Sequence, residues 1–80
     1  MQLANVDFLF DWKGFGEDVR ANRLAMGWTQ SELSDYLGYL GSYVSKTERG
    51  RPDNIGMKDF LRLCNLFDLN PTKYFILMEG

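Results

Sequence analysis

The 80-residue sequence predicts an all-α fold of five short helices behind a short apolar N-terminal arm. Three observations carry that prediction. Leu33 and Leu37 recur at helical spacing behind Thr29 and Glu32, which have the spacing of a capping box. Phe60, Cys64 and Phe67 fall at i, i+4 and i+7, with Leu61 and Leu63 broadening the same apolar stripe. Gly27, Gly38 and Gly50 punctuate the chain at intervals that suit helix ends.

Taken in order, residues 1–14 read as an arm. Val6, Phe8, Phe10 and Trp12 alternate with Asp7, Leu9 and Asp11, as in a half-exposed strand, although Phe8, Trp12 and Phe15 also fit helical spacing. Gly14 and Gly16 read as a boundary, after which the domain spans residues 15–76. A first helix is expected from about Glu17 to Met26, with acidic residues at its positive end and Gly27 closing it. A second follows the Thr29 cap and ends at Gly38. A third carries Val44 inward and Ser42, Tyr43, Ser45 and Lys46 on its other faces, and Gly50 ends it. Pro52 and Asn54 place a loop over residues 51–55. A fourth helix starts near Met57, with Asp59 in its first turn. Asn70 then caps a short final helix with Pro71 at its first position, running through Tyr74 and Phe75, and residues 77–80 form a tail.

Composition narrows the function. Hydrophobic residues at 45% and aromatics at 15% suffice for one packed domain. Histidine is absent and Cys64 is the single cysteine, which leaves no Cys/His set for zinc, no internal disulfide and no Ser–His or Cys–His nucleophile. An enzyme is therefore not expected, nor a cofactor or metal. Gly14-Phe15-Gly16 is a fragment of a nucleotide loop at most, and Glu17 and Asp18 beside it would repel phosphate. Neither a secretory leader nor an apolar run of membrane-spanning length is evident, which suits a soluble protein of the reducing cytoplasm. Formal net charge is −2, but its distribution is uneven: Asp7, Asp11, Glu17 and Asp18 crowd one end, while Lys46, Arg49 and Arg51 cluster. A small basic patch on an acidic body disfavours indiscriminate nucleic-acid binding and leaves discrimination to a few contacts.

Two short helices around a glycine turn, the second bearing hydroxyl and basic groups, form a helix-turn-helix pattern that points to DNA. The stretches FGEDVRANR, GWTQSEL, LGYLGSYVSKTERG and FLRLCNLFDLNP, in that order and spacing, resemble the lambda-repressor-like family of the Cro or Xre type. The resemblance implies a five-helix DNA-binding domain, usually a homodimer, that regulates transcription in bacteria and their phages, plasmids and toxin–antitoxin loci. It places Gln30, with Thr29, where the family contacts a phosphate at a helix N-terminus. Gly41, Ser42, Tyr43, Ser45 and Lys46 fall where the family reads bases in the major groove, and Arg49 and Arg51 where it contacts the backbone. Gly41 departs from the usual polar side chain. For Tyr43 an ordinary half-buried helix position is the competing reading. Tyr39 and Leu40, apolar for the family, would either pack under the motif or touch a thymine methyl. Arg23 and Glu48 match positions that pair across the first and third helices as a structural ion pair.

The expected function is thus a sequence-specific regulator of double-stranded DNA, a repressor or autoregulator reading an inverted repeat as a dimer. The alternative is an antitoxin or anti-repressor-like interaction module on the same fold, with a toxin or anti-repressor as partner. The sequence pI near 4.9 and the apolar ends support that alternative, while Lys46, Arg49 and Arg51 favour DNA.

Overall fold

The computed structural model describes residues 6–39, 42–50 and 55–79. Its elements run β1 (Val6–Phe10), α1 (Trp12–Ala25), α2 (Gln30–Leu37), α3 (Tyr43–Glu48), α4 (Met57–Phe67), a 3-10 turn (Pro71–Tyr74) and β2 (Phe75–Glu79). The four α-helices surround one core built from Phe15 and Val19 of α1, Leu33 and Leu37 of α2, Val44 of α3, and Phe60, Leu63, Cys64 and Phe67 of α4. Tyr74, from the 3-10 turn, closes the core and is 1% exposed. The apolar stripe read along α4 is this buried face.

Local chemistry sets the helix boundaries. At α2, the Thr29 side chain accepts from Glu32 N while Glu32 Oε1 accepts from Thr29 N at 2.8 Å, so the capping box is complete. Gly38 ends α2 at φ 84°, a left-handed conformation that a Cβ would strain. The start of α1 differs from the expectation near Glu17. Asp11 caps the helix by accepting from Gly14 N at 2.9 Å, and α1 begins at Trp12. Gly14 and Gly16 therefore lie inside the first turns rather than ahead of them. Gly16 is needed for packing: a Cβ there would lie 2.4 Å from Thr47 O and 2.8 Å from Glu48 O, so α1 and α3 touch backbone to backbone.

The expected fifth helix is a single 3-10 turn. Asn70 caps it by accepting from Thr72 N, but Phe75 adopts φ −96° and ψ 115° and the chain leaves as a strand. The reason is a partner. The run Phe75-Ile76-Leu77-Met78 has apolar side chains suited to a pleated ribbon, and the arm offers an antiparallel mate. Their register pairs Val6 with Glu79, Phe8 with Leu77, Leu9 with Ile76 and Phe10 with Phe75. Of the two readings left open for the arm, the strand is the one adopted, and the fold is a helical bundle with a two-stranded ribbon.

Phe10 joins ribbon to bundle. Its ring meets Trp12 at 4.2 Å, and lies edge-on to Phe75 at 5.0 Å and to Phe60 at 5.1 Å between centroids, the latter two distances typical of favourable aromatic pairs. Asp11 N donates to Tyr74 O at 2.7 Å, so the two crossings from ribbon to bundle are tied together. Asp18 accepts from the Tyr74 hydroxyl at 2.7 Å and from Lys73 Nζ at 2.8 Å, anchoring the 3-10 turn on α1. Those two donors hold the Asp18 carboxyl below its ordinary pKa. Burial, with the Asp18 carboxylate behind it, pushes the Tyr74 phenol upward.

Candidate nucleic-acid interface

Helix α3 has only six residues and no side-chain cap at Ser42, too short to hold its own shape in water. Its position is imposed from outside. Val44, Thr47 and Glu48 face inward. Ser42, Lys46 and Arg49 are exposed and Ser45 is partly so, which makes one outward stripe of two hydroxyls and two cations. Among the described residues no carboxylate pairs with Lys46 or Arg49, and Arg49 Nε only leans on Ser45 O at 3.4 Å.

The C-terminal end of α3 is held by a buried charge pair. Arg23, in the last turn of α1, places Nε 2.6 Å from Glu48 Oε2 and Nη2 3.1 Å from Glu48 Oε1. Its Nη1 donates to Trp28 O at 2.7 Å, and Gln30 Nε2 donates to Glu48 Oε1 at 3.0 Å. The side chains of Arg23 and Glu48 are 7% and 3% exposed, so neither charge could be tolerated without the other. One carboxylate thus joins the end of α1, the start of α2 and the end of α3. Gln30 remains an exposed residue at the N-terminus of α2 beside Thr29, with one amide hydrogen engaged on Glu48.

The N-terminal end of α3 is held from below, by a cluster that sequence spacing did not reveal. Asp59, in the first turn of α4 and 6% exposed, accepts at Oδ2 from the Tyr39 hydroxyl and, at 3.2 Å, from the Tyr43 hydroxyl. The two tyrosine rings stack at 4.3 Å and 14°. Arg62 Nη1 lies 3.5 Å from Asp59 Oδ1 and donates to Leu37 O at 3.0 Å, while Nη2 donates to Tyr36 O at 3.1 Å. Arg62 therefore satisfies carbonyls at the end of α2, where a helix leaves them without internal partners. The bond to Asp59 raises the Tyr39 phenol pKa; for Tyr43 burial is the larger cause and the Asp59 charge the next.

The structure thus brings Thr29, Gln30, Ser42, Tyr43, Ser45, Lys46 and Arg49 to the α2–α3 face. Tyr43 is half-buried, its hydroxyl directed at Asp59. Tyr39 stacks on Tyr43 and bonds Asp59, while 39% of its surface stays exposed. Gly41, Leu40 and Arg51 lie outside the described residues. The Asp59 contacts span 16 and 20 residues, and no local signal in the chain reports them.

A family model described as helix-turn-helix matches residues 19–74, from the core of α1 to the 3-10 turn. The chain belongs to the Cro/Xre-like helix-turn-helix family. The crystal structure of the restriction-modification controller protein C.AhdI from Aeromonas hydrophila is similar to it. Identity is 33% with a TM-score of 0.63, over 79% of this chain and 94% of the controller. A comparison with curated protein sequences gives no match. This helix-turn-helix protein is a DNA-binding transcription regulator. Among the described residues, no helix is long and apolar enough to cross a membrane.

Proposed function

We propose that this regulator binds an inverted repeat in duplex DNA as a homodimer and acts in the cytoplasm as a repressor or autoregulator. The observation that carries the proposal is the outward stripe of Ser42, Ser45, Lys46 and Arg49 on a helix whose two ends are both pinned to the bundle. An α-helix presenting its N-terminal residues enters the major groove and reads base edges there. Ser42, Ser45 and Lys46 do the reading, with Tyr43 and Gly41 shaping the approach. Lys46 reaches a guanine edge or a phosphate. Thr29 and Gln30 clamp a phosphate at the N-terminus of α2. Arg49 and Arg51 hold the backbone. The similarity to C.AhdI supports control of restriction-modification genes as the setting.

Selection of bound sequences from random duplex DNA tests this reading, with a palindromic consensus expected. Salt titration on the selected duplex tests the backbone contacts: replacing Arg49 or Arg51 by Ala should lower the slope by about one in each case. A chain that enriches no sequence fits instead the interaction-module reading, an antitoxin or anti-repressor relative with a protein partner. The sequence pI near 4.9 and the exposed Leu9 and Ile76 of the ribbon favour that second reading.

A further inference from the structure

We infer that Asp59 is a positioning residue for DNA reading: through the Tyr39 and Tyr43 hydroxyls it fixes where the first turn of α3 stands. The inference rests on α3 being the helix that enters DNA. It goes further by moving Tyr43 from reader to anchor and by giving a function to a carboxylate on a helix outside the motif. Ser42 offers α3 no side-chain cap, and the Arg23–Glu48 pair holds only the opposite end. A six-residue helix pinned at one end can still swing about that pin. Val44 sets the depth of that end in the core, and the bond from Tyr43 to Asp59 at 3.2 Å, with the Tyr39 ring stacked at 4.3 Å, adds the directional contact against such a swing.

The carboxylate is suited to the task because it is itself buried and held. It is buried in the first turn of α4, and Arg62, which approaches Asp59 Oδ1, also holds the Leu37 and Tyr36 carbonyls. Asp59 thus refers the end of α2, the turn residue Tyr39 and the start of α3 to one point on α4. Ser42 and Lys46 flank Tyr43 along the reading stripe, so a small swing there displaces both from their base edges. Reading groups need placement to about 0.5 Å, and a looser support weakens the readout before it unfolds the domain.

The test uses the full chain, the duplex it selects from random DNA and an unrelated duplex of equal length, with the variants Tyr43→Phe, Asp59→Ala, Asp59→Asn and the Tyr43→Phe/Asp59→Ala double. Expected are affinities for the selected duplex lower by about tenfold in Tyr43→Phe and Asp59→Ala, with the double no weaker than Asp59→Ala alone. Affinity for the unrelated duplex and the salt slope should stay unchanged. Asp59→Asn keeps an acceptor oxygen and should recover most of the loss. Repeating the selection with Tyr43→Phe should return the same consensus with lower enrichment. Relaxed preference at a single base pair in Tyr43→Phe, absent from Asp59→Ala, would make Tyr43 a reader and overturn the inference. Equal losses on both duplexes that track melting temperature would reduce Asp59 to a stabilising residue and overturn it too. If Asp59→Ala does not fold, Tyr39→Phe and Tyr43→Phe, each removing one hydroxyl, decide alone, and unchanged discrimination in both defeats it. Should the wild-type chain select no duplex, the reading of α3 falls first, and the inference falls with it.

Discussion

Glu48 concentrates more of the architecture than any other side chain on α3. Three donors converge on its carboxylate from Arg23 and Gln30, and the group is almost wholly removed from water. Removing Arg23 leaves a buried anion with one neutral donor, which costs about 3–5 kcal/mol when the partner charge is lost. A domain of this size has roughly 5–15 kcal/mol of stability in total, so Arg23→Ala should shift the urea midpoint sharply. DNA affinity, measured well below that midpoint, should fall less. Lost binding with an unchanged midpoint would make Arg23 a contact residue instead. Asp18 supplies a pH-dependent counterpart. Its folded pKa is depressed by Lys73 and Tyr74, so the unfolded chain binds the proton more readily. The stabilisation is therefore complete above the ordinary carboxyl pKa of about 3.9 and is lost as pH falls through the lower folded value. Asp18→Asn should be less stable at neutral pH and lose less than the wild type on acidification, as read from urea midpoints across an acid series. Parallel curves would remove Asp18 from the account. The two clusters differ in how far they could be read from the chain. Arg23 and Glu48 stand at family positions and are expected to pair, whereas Asp59, Tyr39, Tyr43 and Arg62 meet only because α4 folds back beneath the turn.

The helix ends closest to the reading face follow from local sequence, because caps act within a turn. Thr29, Glu32 and Gly38 suffice to bound α2. Errors arise where a long-range contact overrides the local signal. Gly14-Phe15-Gly16 reads as a break, since glycine in a helix costs about 1 kcal/mol relative to alanine. At Gly16 that cost permits α1 to approach the carbonyls of Thr47 and Glu48, a contact 31–32 residues away in the chain. Phe75 to Met78 could not be separated from a helix end without knowing that the arm lies beside it. The glycines give a direct test. Gly16→Ala sets a Cβ 2.4 Å from backbone, and overpacking of this kind costs about 1–3 kcal/mol, exceeding the gain in helix propensity. It should lower the melting temperature and, by pushing α3 outward, weaken DNA binding. Gly14→Ala meets only the Asp11 side chain, which can swing away, so its cost should be confined to the loss of one cap, about 1 kcal/mol. A stabilised Gly16→Ala would show that α1 and α3 can separate freely.

The ribbon bears on how two copies would assemble. A two-stranded antiparallel ribbon is marginal by itself in water. Here it is also apolar on both sides. Leu9 and Ile76, cross-strand partners, are 53% and 44% exposed. On the side of Phe10 and Phe75 a hollow of about 260 Å³ opens, lined also by Trp12, Ile55, Met57 and Phe60. A two-fold contact through this ribbon would cover that surface and continue the sheet, and a self-complementary patch is what a closed dimer requires. The prediction is that the chain sediments as a dimer at micromolar concentration and that Leu9→Lys/Ile76→Glu sediments as a monomer. Both side chains are about half exposed in the single copy and the two new charges are opposite in sign across the ribbon, so the substitutions should change its stability by only about 0.5 kcal/mol each. On DNA the variant should keep its affinity for a half-site and lose the gain from two linked half-sites, a factor of about 100 or more on the full inverted repeat. A variant that stays dimeric would place the interface elsewhere on the bundle. A wild type that sediments as a monomer and binds a half-site as tightly as the repeat would rule out the dimer.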